Sequence, residues 1–236
     1  MKFKKRDQEE KKRPRREKHM ELEKHIRKIE ETLKSLEAEG KKICITSSFQ
    51  THSLPLLHIC KEVIPNIPVL FIDTGFHFPE TYAFRDQIVK EWNLNLINLR
   101  SKVSRIRQKD AQGNFLYTTN PEYCCHINKV EPLDDQITKY HIWVAGLRRD
   151  QTSFRKQLSE FKKESNGVTK YHPILEWNSK MIHEYRTLHN LPHHPLEEKG
   201  YFSIGCLPCT SSATEAGERG GRWLGSNKTE CGLHTK

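Results

Sequence analysis

The chain has 236 residues, with 40 Lys and Arg against 30 Asp and Glu, a formal net charge of +10. Once the first twenty or so residues are set aside, that length suits one α/β domain with a sizeable core. No apolar run could span a bilayer, and the N-terminus lacks the apolar centre of a secretory signal and is too rich in Glu and too poor in Ser for a transit peptide.

The seven cysteines are therefore expected in a reducing cytoplasm, where clustered cysteines serve metals or catalysis rather than disulfides. The charge is unevenly spread. The first twenty residues carry ten Lys/Arg and four Asp/Glu, a net of +6, and the rest carries only +4. Residues 1–19 form a basic, low-complexity head that is expected to be disordered. A solubilising tail is favoured over nucleic-acid contact, because no DNA- or RNA-binding motif accompanies the run.

Apolar residues at Met20, Leu22, Ile26, Ile29, Leu33 and Leu36 predict a helix, with Gly40 as its stop. Lys42–Thr46 predicts a buried strand, Ser47–Gln50 a turn, and Ser53–Val63 a helix. Pro68–Ile72 predicts a second strand, Pro79–Trp92 a helix, Leu94–Leu99 a third strand and Ile142–Ala145 a fourth. Strand and helix alternate, so the fold class is α/β, with a mainly parallel sheet covered on both faces by helices. Ligands of such sheets bind beyond the carboxyl ends of the strands. Ser47-Ser48, Asp73-Thr74-Gly75 and Arg148-Arg149 all follow strand ends and should converge there. Residues 20–199 are assigned to this α/β domain. Residues 200–236 form an irregular, glycine-rich C-terminal segment, expected to be mobile.

Five cysteines carry the chemistry. Cys124 and Cys125 are adjacent, and Cys206 and Cys209 form a C-x-x-C. The two pairs can supply four thiolates to one metal centre. They suit the corners of a [4Fe-4S] cube, whereas structural zinc sites usually take C-x-x-C on both sides. Lys129 lies four residues after Cys125, so on a helix it shares that face and can meet negative charge of cluster or substrate. Cys231 stands apart in Glu230-Cys231-Gly232-Leu233-His234, as a nucleophile would.

The remaining motifs are weaker singly. The turn at Ser47, Ser48 and Phe49 can hold an anion with hydroxyls and helix-start N–H groups, or Ser53 can simply cap a helix. Asp73, with Thr74 and Gly75, can accept from a ribose hydroxyl or adenine amine, or cap a turn. Arg148 offers a guanidinium fork to phosphate or sulfate. Arg219 and Arg222 flank two glycines and add cations for an anionic ligand. Cys44 and Cys60 read as small buried hydrophobes, and His189, His193 and His194 as loop histidines.

Taken together, these residues resemble the adenylylsulfate/phosphoadenylylsulfate reductases of assimilatory sulfate reduction, over roughly Ser47 to His234. The matching strings are Ser-Ser-Phe, Asp-Thr-Gly through Pro-Glu-Thr-Tyr, Cys-Cys through Lys-Val-Glu-Pro-Leu, Gly-Leu-Arg-Arg, Cys-x-Pro-Cys-Thr and Glu-Cys-Gly-Leu-His. The resemblance implies an adenine nucleotide α-hydrolase-like (PP-loop-like) fold. It also implies a [4Fe-4S] cluster on Cys124, Cys125, Cys206 and Cys209. Members with both cysteine pairs use adenosine 5′-phosphosulfate, and those without tend to use the 3′-phosphorylated form. The expected reaction reduces adenosine 5′-phosphosulfate to sulfite and AMP through S-sulfocysteine on Cys231, with His234 aligning the thiol. The same chemistry on the 3′-phosphorylated substrate is the alternative.

Two features depart from the family pattern. No glycine follows Phe49. The thioredoxin-like domain of plant-type members does not follow Lys236, so the donor is expected to be a separate thioredoxin or glutaredoxin. No membrane partner is expected, and the sequence is compatible with a homo-oligomer. Two other readings of the residues fit less well. An ATP-pyrophosphatase of the same fold lacks support because its Ser-Gly-Gly-x-Asp-Ser loop is missing. A cluster-binding redox sensor leaves Cys231 and the arginines without a role.

Overall fold

The computed structural model describes residues 2–212, 221–223, 230 and 232–233, with side chains from residue 20 onward. Six strands form one sheet: β1 (Ile43–Thr46), β2 (Pro68–Ile72), β3 (Asn95–Leu99), β4 (Ile142–Ala145), β5 (Phe161–Lys163) and β6 (Thr169–Tyr171). Their order is β3-β2-β1-β4-β6-β5, and only the β5–β6 pair is antiparallel. The expected α/β class is borne out. The order reverses between β1 and β4, which opens a crevice at the carboxyl ends of those two strands.

Side chains alternate across the sheet. Ile43, Ile45, Val69, Phe71 and Val144 face one core with helices α1 (Lys2–Ala38), α2 (Leu54–Val63), α3 (Pro79–Glu91) and α7 (Ser179–Leu188). Cys44, Leu70, Trp143 and Ala145 face the other, with Leu133 and Ile137 of α6 (Glu131–Ile137). Both faces are apolar, as a parallel sheet requires. Between α3 and α6 lie two short helices, α4 (Leu116–Thr119) and α5 (Pro121–Cys125).

Helix α1 differs from expectation at its start. Its backbone is helical from Lys2, so it takes in the basic head expected to be disordered. Lys, Arg, Glu and Gln are all good helix formers, and they dominate that stretch. Farther on, Leu22, Ile29 and Leu33 are buried against the core. Met20 is not part of that face and stays exposed. Gly40, at φ +72°, ends the helix, and Lys41 N–H donates to the Leu36 carbonyl at 3.1 Å.

Cys44 and Cys60 are fully buried, as expected, and burial pushes both thiols far above their ordinary pKa. The predicted loop histidines do lie outside helices and strands, and among them His194 is the one enclosed by the fold. It is buried, lies 3.1 Å from Thr81 Oγ1, and is held at a pKa of about 4 by burial.

Candidate active site

The loop after β1 forms one wall of the crevice. Ser47 N–H donates to the Leu70 carbonyl at 3.2 Å, and Ser47 Oγ accepts from Phe49 N–H at 3.2 Å. Phe49 adopts φ +53°, a costly conformation for a residue with a Cβ. Its ring is buried edge-on to Phe71, with centroids 5.7 Å apart. The strained turn thus plants Phe49 in the core and leaves Ser47 and Ser48 on the cavity. Ser53 makes no side-chain cap for α2; its hydroxyl donates to the Gln50 carbonyl at 2.8 Å.

The loop after β2 splits its roles. Thr74 lines the cavity, but Asp73 and Gly75 do not. The Asp73 carboxylate accepts from Tyr82 Oη at 2.6 Å, from Gly75 N–H at 3.0 Å, and from Arg100 at 2.7 and 2.8 Å. Burial works against its ionisation, but these donors win and hold its pKa below the usual carboxylate value. Asp73 is therefore spent on folding the loop. Gly75, at φ +72°, bends the chain beneath Arg105, whose guanidinium donates to its carbonyl.

Behind β4, Arg148 is buried on the cavity wall, 3.2 Å from both Asp150 and Ser179 Oγ. Arg149 turns away to Glu176 and the Leu158 carbonyl. Arg155 also lines the cavity. Nothing local in the sequence shows that a residue seven positions past Arg148 returns to the crevice.

The helix carrying the cysteine pair has an unusual middle. Asn120 caps α5, accepting from Tyr123 N–H at 3.0 Å. From His126 to Val130 the helix widens to π geometry before α6 begins. Pro132 cannot give an N–H to the carbonyl four residues back, which accounts for the wider turn. Such turns often mark functional sites. Here it brings Asn128 beneath Cys124, with Nδ2 2.9 Å from the carbonyl and 3.6 Å from Sγ. Asn128 is fixed in turn by a reciprocal amide pair with Gln108, at 2.7 and 2.9 Å. Lys129 is buried at the junction of two cavities.

The first cavity, of about 230 Å³, fills the crevice between β1 and β4. Its described walls carry the cations Lys129, Arg148, Arg155 and Arg222, and no carboxylate. Apolar surface comes from Leu56, Phe71, Ile204 and Leu233 among others. His77 is there too, donating to the Ile72 carbonyl at 2.9 Å, with its pKa lowered by burial and by Lys129. The pocket suits an apolar ring joined to an anionic group.

The second, smaller cavity is lined by Cys124, Cys125, Cys206 and Cys209 together. Thr74, Lys129 and Cys206 border both cavities. The C-x-x-C reaches the site on an antiparallel bridge between His77 and Cys206, and Leu207 N–H donates to the Phe76 carbonyl at 2.7 Å. Thr74 Oγ1 lies 3.2 Å from Cys206 Sγ. A further bridge joins Thr210 to Arg222, and Ser211 N–H donates to the Gly221 carbonyl at 2.8 Å. Gly221 must be glycine, since a Cβ there would run into the Ser211 carbonyl. The C-terminal segment expected to be irregular is thus stitched to the site where it is described.

Burial, then the neighbouring Cys125 and Cys206, pushes the Cys124 thiol up to about 11. Burial and Cys206 also raise Cys209, while Lys129 opposes the rise. Four cysteines lining one small cavity, two of them with ionisation disfavoured there, suit a thiolate-binding metal centre, which would replace protons with cationic charge. Among the described residues no three His, Cys, Asp or Glu side chains are close enough to hold a single ion.

Comparison with known proteins decides the family. Residues 42–212 match the model of the phosphoadenosine phosphosulfate reductase domain. The chain belongs to the phosphoadenosine phosphosulfate reductase family. It is 40% identical to an adenosine 5′-phosphosulfate reductase of Rhodococcus erythropolis, over 76% of this chain and 73% of that one. It is 37% identical to a phosphoadenosine 5′-phosphosulfate reductase of Gloeobacter violaceus, over 83% of each. A crystal structure of phosphoadenylyl-sulfate reductase from Candida auris, a phosphate complex, superposes with a TM-score of 0.63 at 22% identity, over 80% of this chain and 97% of that one. An FMN adenylyltransferase from Candida glabrata shares the fold more distantly, with a TM-score of 0.52 at 19% identity, over 73% of this chain and 57% of that one. The PP-loop-like expectation holds, and the chain is an oxidoreductase acting on a sulfur group.

Of the substrate-binding residues expected from sequence, Ser47, Ser48, Thr74, Lys129, Arg148 and Arg222 meet at the first cavity. Phe49, Asp73 and Gly75 shape the loops behind it. Cys231, His234 and Arg219 lie outside the described residues. Glu230 and Leu233, on either side of Cys231 and Gly232, are described, and Leu233 lines the cavity.

Proposed function

We propose that the protein reduces adenosine 5′-phosphosulfate to sulfite and AMP in the cytoplasm, through S-sulfocysteine on Cys231, with thioredoxin or glutaredoxin as donor. The observation that carries this reading is the cationic cavity free of carboxylates along its described walls, lined by Leu233, two residues past Cys231, and sharing Thr74, Lys129 and Cys206 with the cavity of the four cysteines.

The adenine ring takes the apolar part of the crevice between β1 and β4. The phosphosulfate faces Lys129, Arg148 and Arg222. The Cys231 thiolate attacks the sulfate sulfur; an S–S bond forms, the S–O bond to AMP breaks, and AMP leaves with the electron pair. An anion here attacks an anionic centre, so the reaction depends on these cations. A dithiol then attacks Cys231 Sγ, sulfite leaves with its electron pair, and the donor's second thiol resolves the mixed disulfide. The two electrons come from the donor. His234 aligns the Cys231 thiol.

Cys124, Cys125, Cys206 and Cys209 would hold a [4Fe-4S] cluster. When bound it supplies fixed charge beside Lys129 and ties α5 to the C-x-x-C. Asn128 and Thr74 orient the thiols of Cys124 and Cys206.

Sulfite release with thioredoxin, measured on oxygen-free protein with adenosine 5′-phosphosulfate and with its 3′-phosphate, tests the proposal. Turnover of the first alone is expected. Equal turnover of both would keep the chemistry and overturn the substrate assignment.

A further inference from the structure

We propose that Arg155 is a positioning residue for Cys231, acting through a buried ion pair with Glu230. The inference rests on the reading that Cys231 is the nucleophile. Arg155 is 5% exposed and Glu230 is 6% exposed. Their groups meet fork to fork, with Nε 2.8 Å from one carboxylate oxygen and Nη2 2.9 Å from the other. Thr152 Oγ1 donates to the first oxygen at 2.8 Å, and Nη1 of Arg155 donates to Gln151.

Every guanidinium nitrogen of Arg155 is thereby engaged by protein. That sets it apart from a substrate clamp, although it borders the same cavity. A bidentate pair also fixes direction as well as distance, which a single lysine contact cannot. Glu230 immediately precedes Cys231 in the chain, so it is the nearest handle by which the fold can orient the thiol.

A second hold lies just beyond. Leu233 packs on the apolar cluster around Trp143 and Leu133, and its carbonyl accepts from Lys170 at 3.5 Å. Gly232 sits against Val130, the last residue of the π turn. Described residues on both sides of Cys231 are thus held, and the Arg155–Glu230 contact is the ionic, bidentate one of those described. Losing one member of a buried pair leaves the other charge uncompensated, so the hold should weaken at least about tenfold.

The test compares the parent chain with Glu230→Gln, Arg155→Leu and the double variant, each checked for iron content and thermal unfolding. Amide hydrogen exchange of the peptide covering residues 230–236 reads the anchor without needing activity. Single-turnover formation of S-sulfocysteine reads positioning. Each single variant should exchange that peptide at least about tenfold faster, and the double no faster than the singles, because one interaction is being removed twice. Sulfonation should slow by a similar factor, while the AMP affinity of Glu230→Gln stays within about twofold, since Glu230 is not among the residues that line the cavity. Glu230→Gln keeps the size of the side chain and an acceptor for Thr152 and Arg155, so it carries the test if Arg155→Leu fails to fold. Unchanged exchange and sulfonation in Glu230→Gln would overturn the proposal. A parent that forms no S-sulfocysteine would instead refute the nucleophile assignment, and exchange would still decide the anchor.

Discussion

Asp73 offers the sharpest separation between a loop-building carboxylate and a substrate contact. Its side chain accepts four hydrogen bonds or ion-pair contacts from Tyr82, Gly75 and Arg100, and lines neither of the two cavities described. Asp73→Asn keeps the shape and an acceptor for Tyr82 and Gly75 but removes the charge. A hydrogen bond to a charged group contributes about 1.5–3 kcal/mol, against about 1 for a neutral one. The Arg100 side chain is 72% exposed, so its ion pair adds at most about 1 kcal/mol after screening. The expected loss is therefore about 1–2 kcal/mol for Asn and about 3 kcal/mol for Ala, which leaves Tyr82 and Gly75 unpaired. Urea unfolding measures it.

The pH dependence follows from the lowered carboxyl pKa. Folding holds Asp73 ionised, so its contribution is full above the unfolded value near 3.8 and is lost as pH falls through the lower folded value. The gap between parent and Asp73→Asn should thus narrow in acid below about pH 3.8. The Michaelis constant for substrate should stay within about threefold. A variant of unchanged stability whose Michaelis constant rises tenfold or more would refute the reasoning and return Asp73 to the nucleotide.

Three further outcomes are expected. Cys209→Ser should lose most of its iron and acid-labile sulfide, measured on anaerobically purified protein; a full complement of both would contradict the assignment. Lys129→Ala should retain its iron but lose about a hundredfold in turnover, the scale of one transition-state donor, and steady-state kinetics with iron analysis checks both. Arg148→Lys keeps the charge and loses the fork, so sulfite release should fall by about tenfold with little change in melting temperature.

The sheet was legible because its central strands are short apolar runs closed by polar turns. Ile43–Thr46, Pro68–Ile72 and Ile142–Ala145 have no competing helical reading, and their ends carry Ser47, Thr74 and Arg148 to one rim. The strands β5 and β6 were not, since Phe161-Lys162-Lys163 and Thr169-Lys170-Tyr171 are three residues each and half charged. Only Asn166-Gly167 between them, with Gly167 at φ +86°, carried a hairpin signal. Adjacent cysteines and a C-x-x-C pointed to a shared centre, and the fold brings all four to the lining of one cavity. The π turn was invisible, because Pro132 alone says little about the helix before it. Asp73 and Phe49 were assigned to substrate on sequence position. A residue at a strand end can face the loop as readily as the crevice, and only the contacts of Tyr82, Arg100 and Phe71 reveal which. Arg155 and Glu230 lie 75 residues apart, and no local pattern pairs them.

The central claim is that Cys231 takes up the sulfuryl group. The most direct measurement incubates the protein with adenosine 5′-phosphosulfate and no reductant, then maps its peptides by mass spectrometry. The account predicts one added SO₃ on the peptide bearing Cys231, released as sulfite by thioredoxin and absent from Cys231→Ser. Sulfite formation by Cys231→Ser, or the adduct on another cysteine, would contradict it.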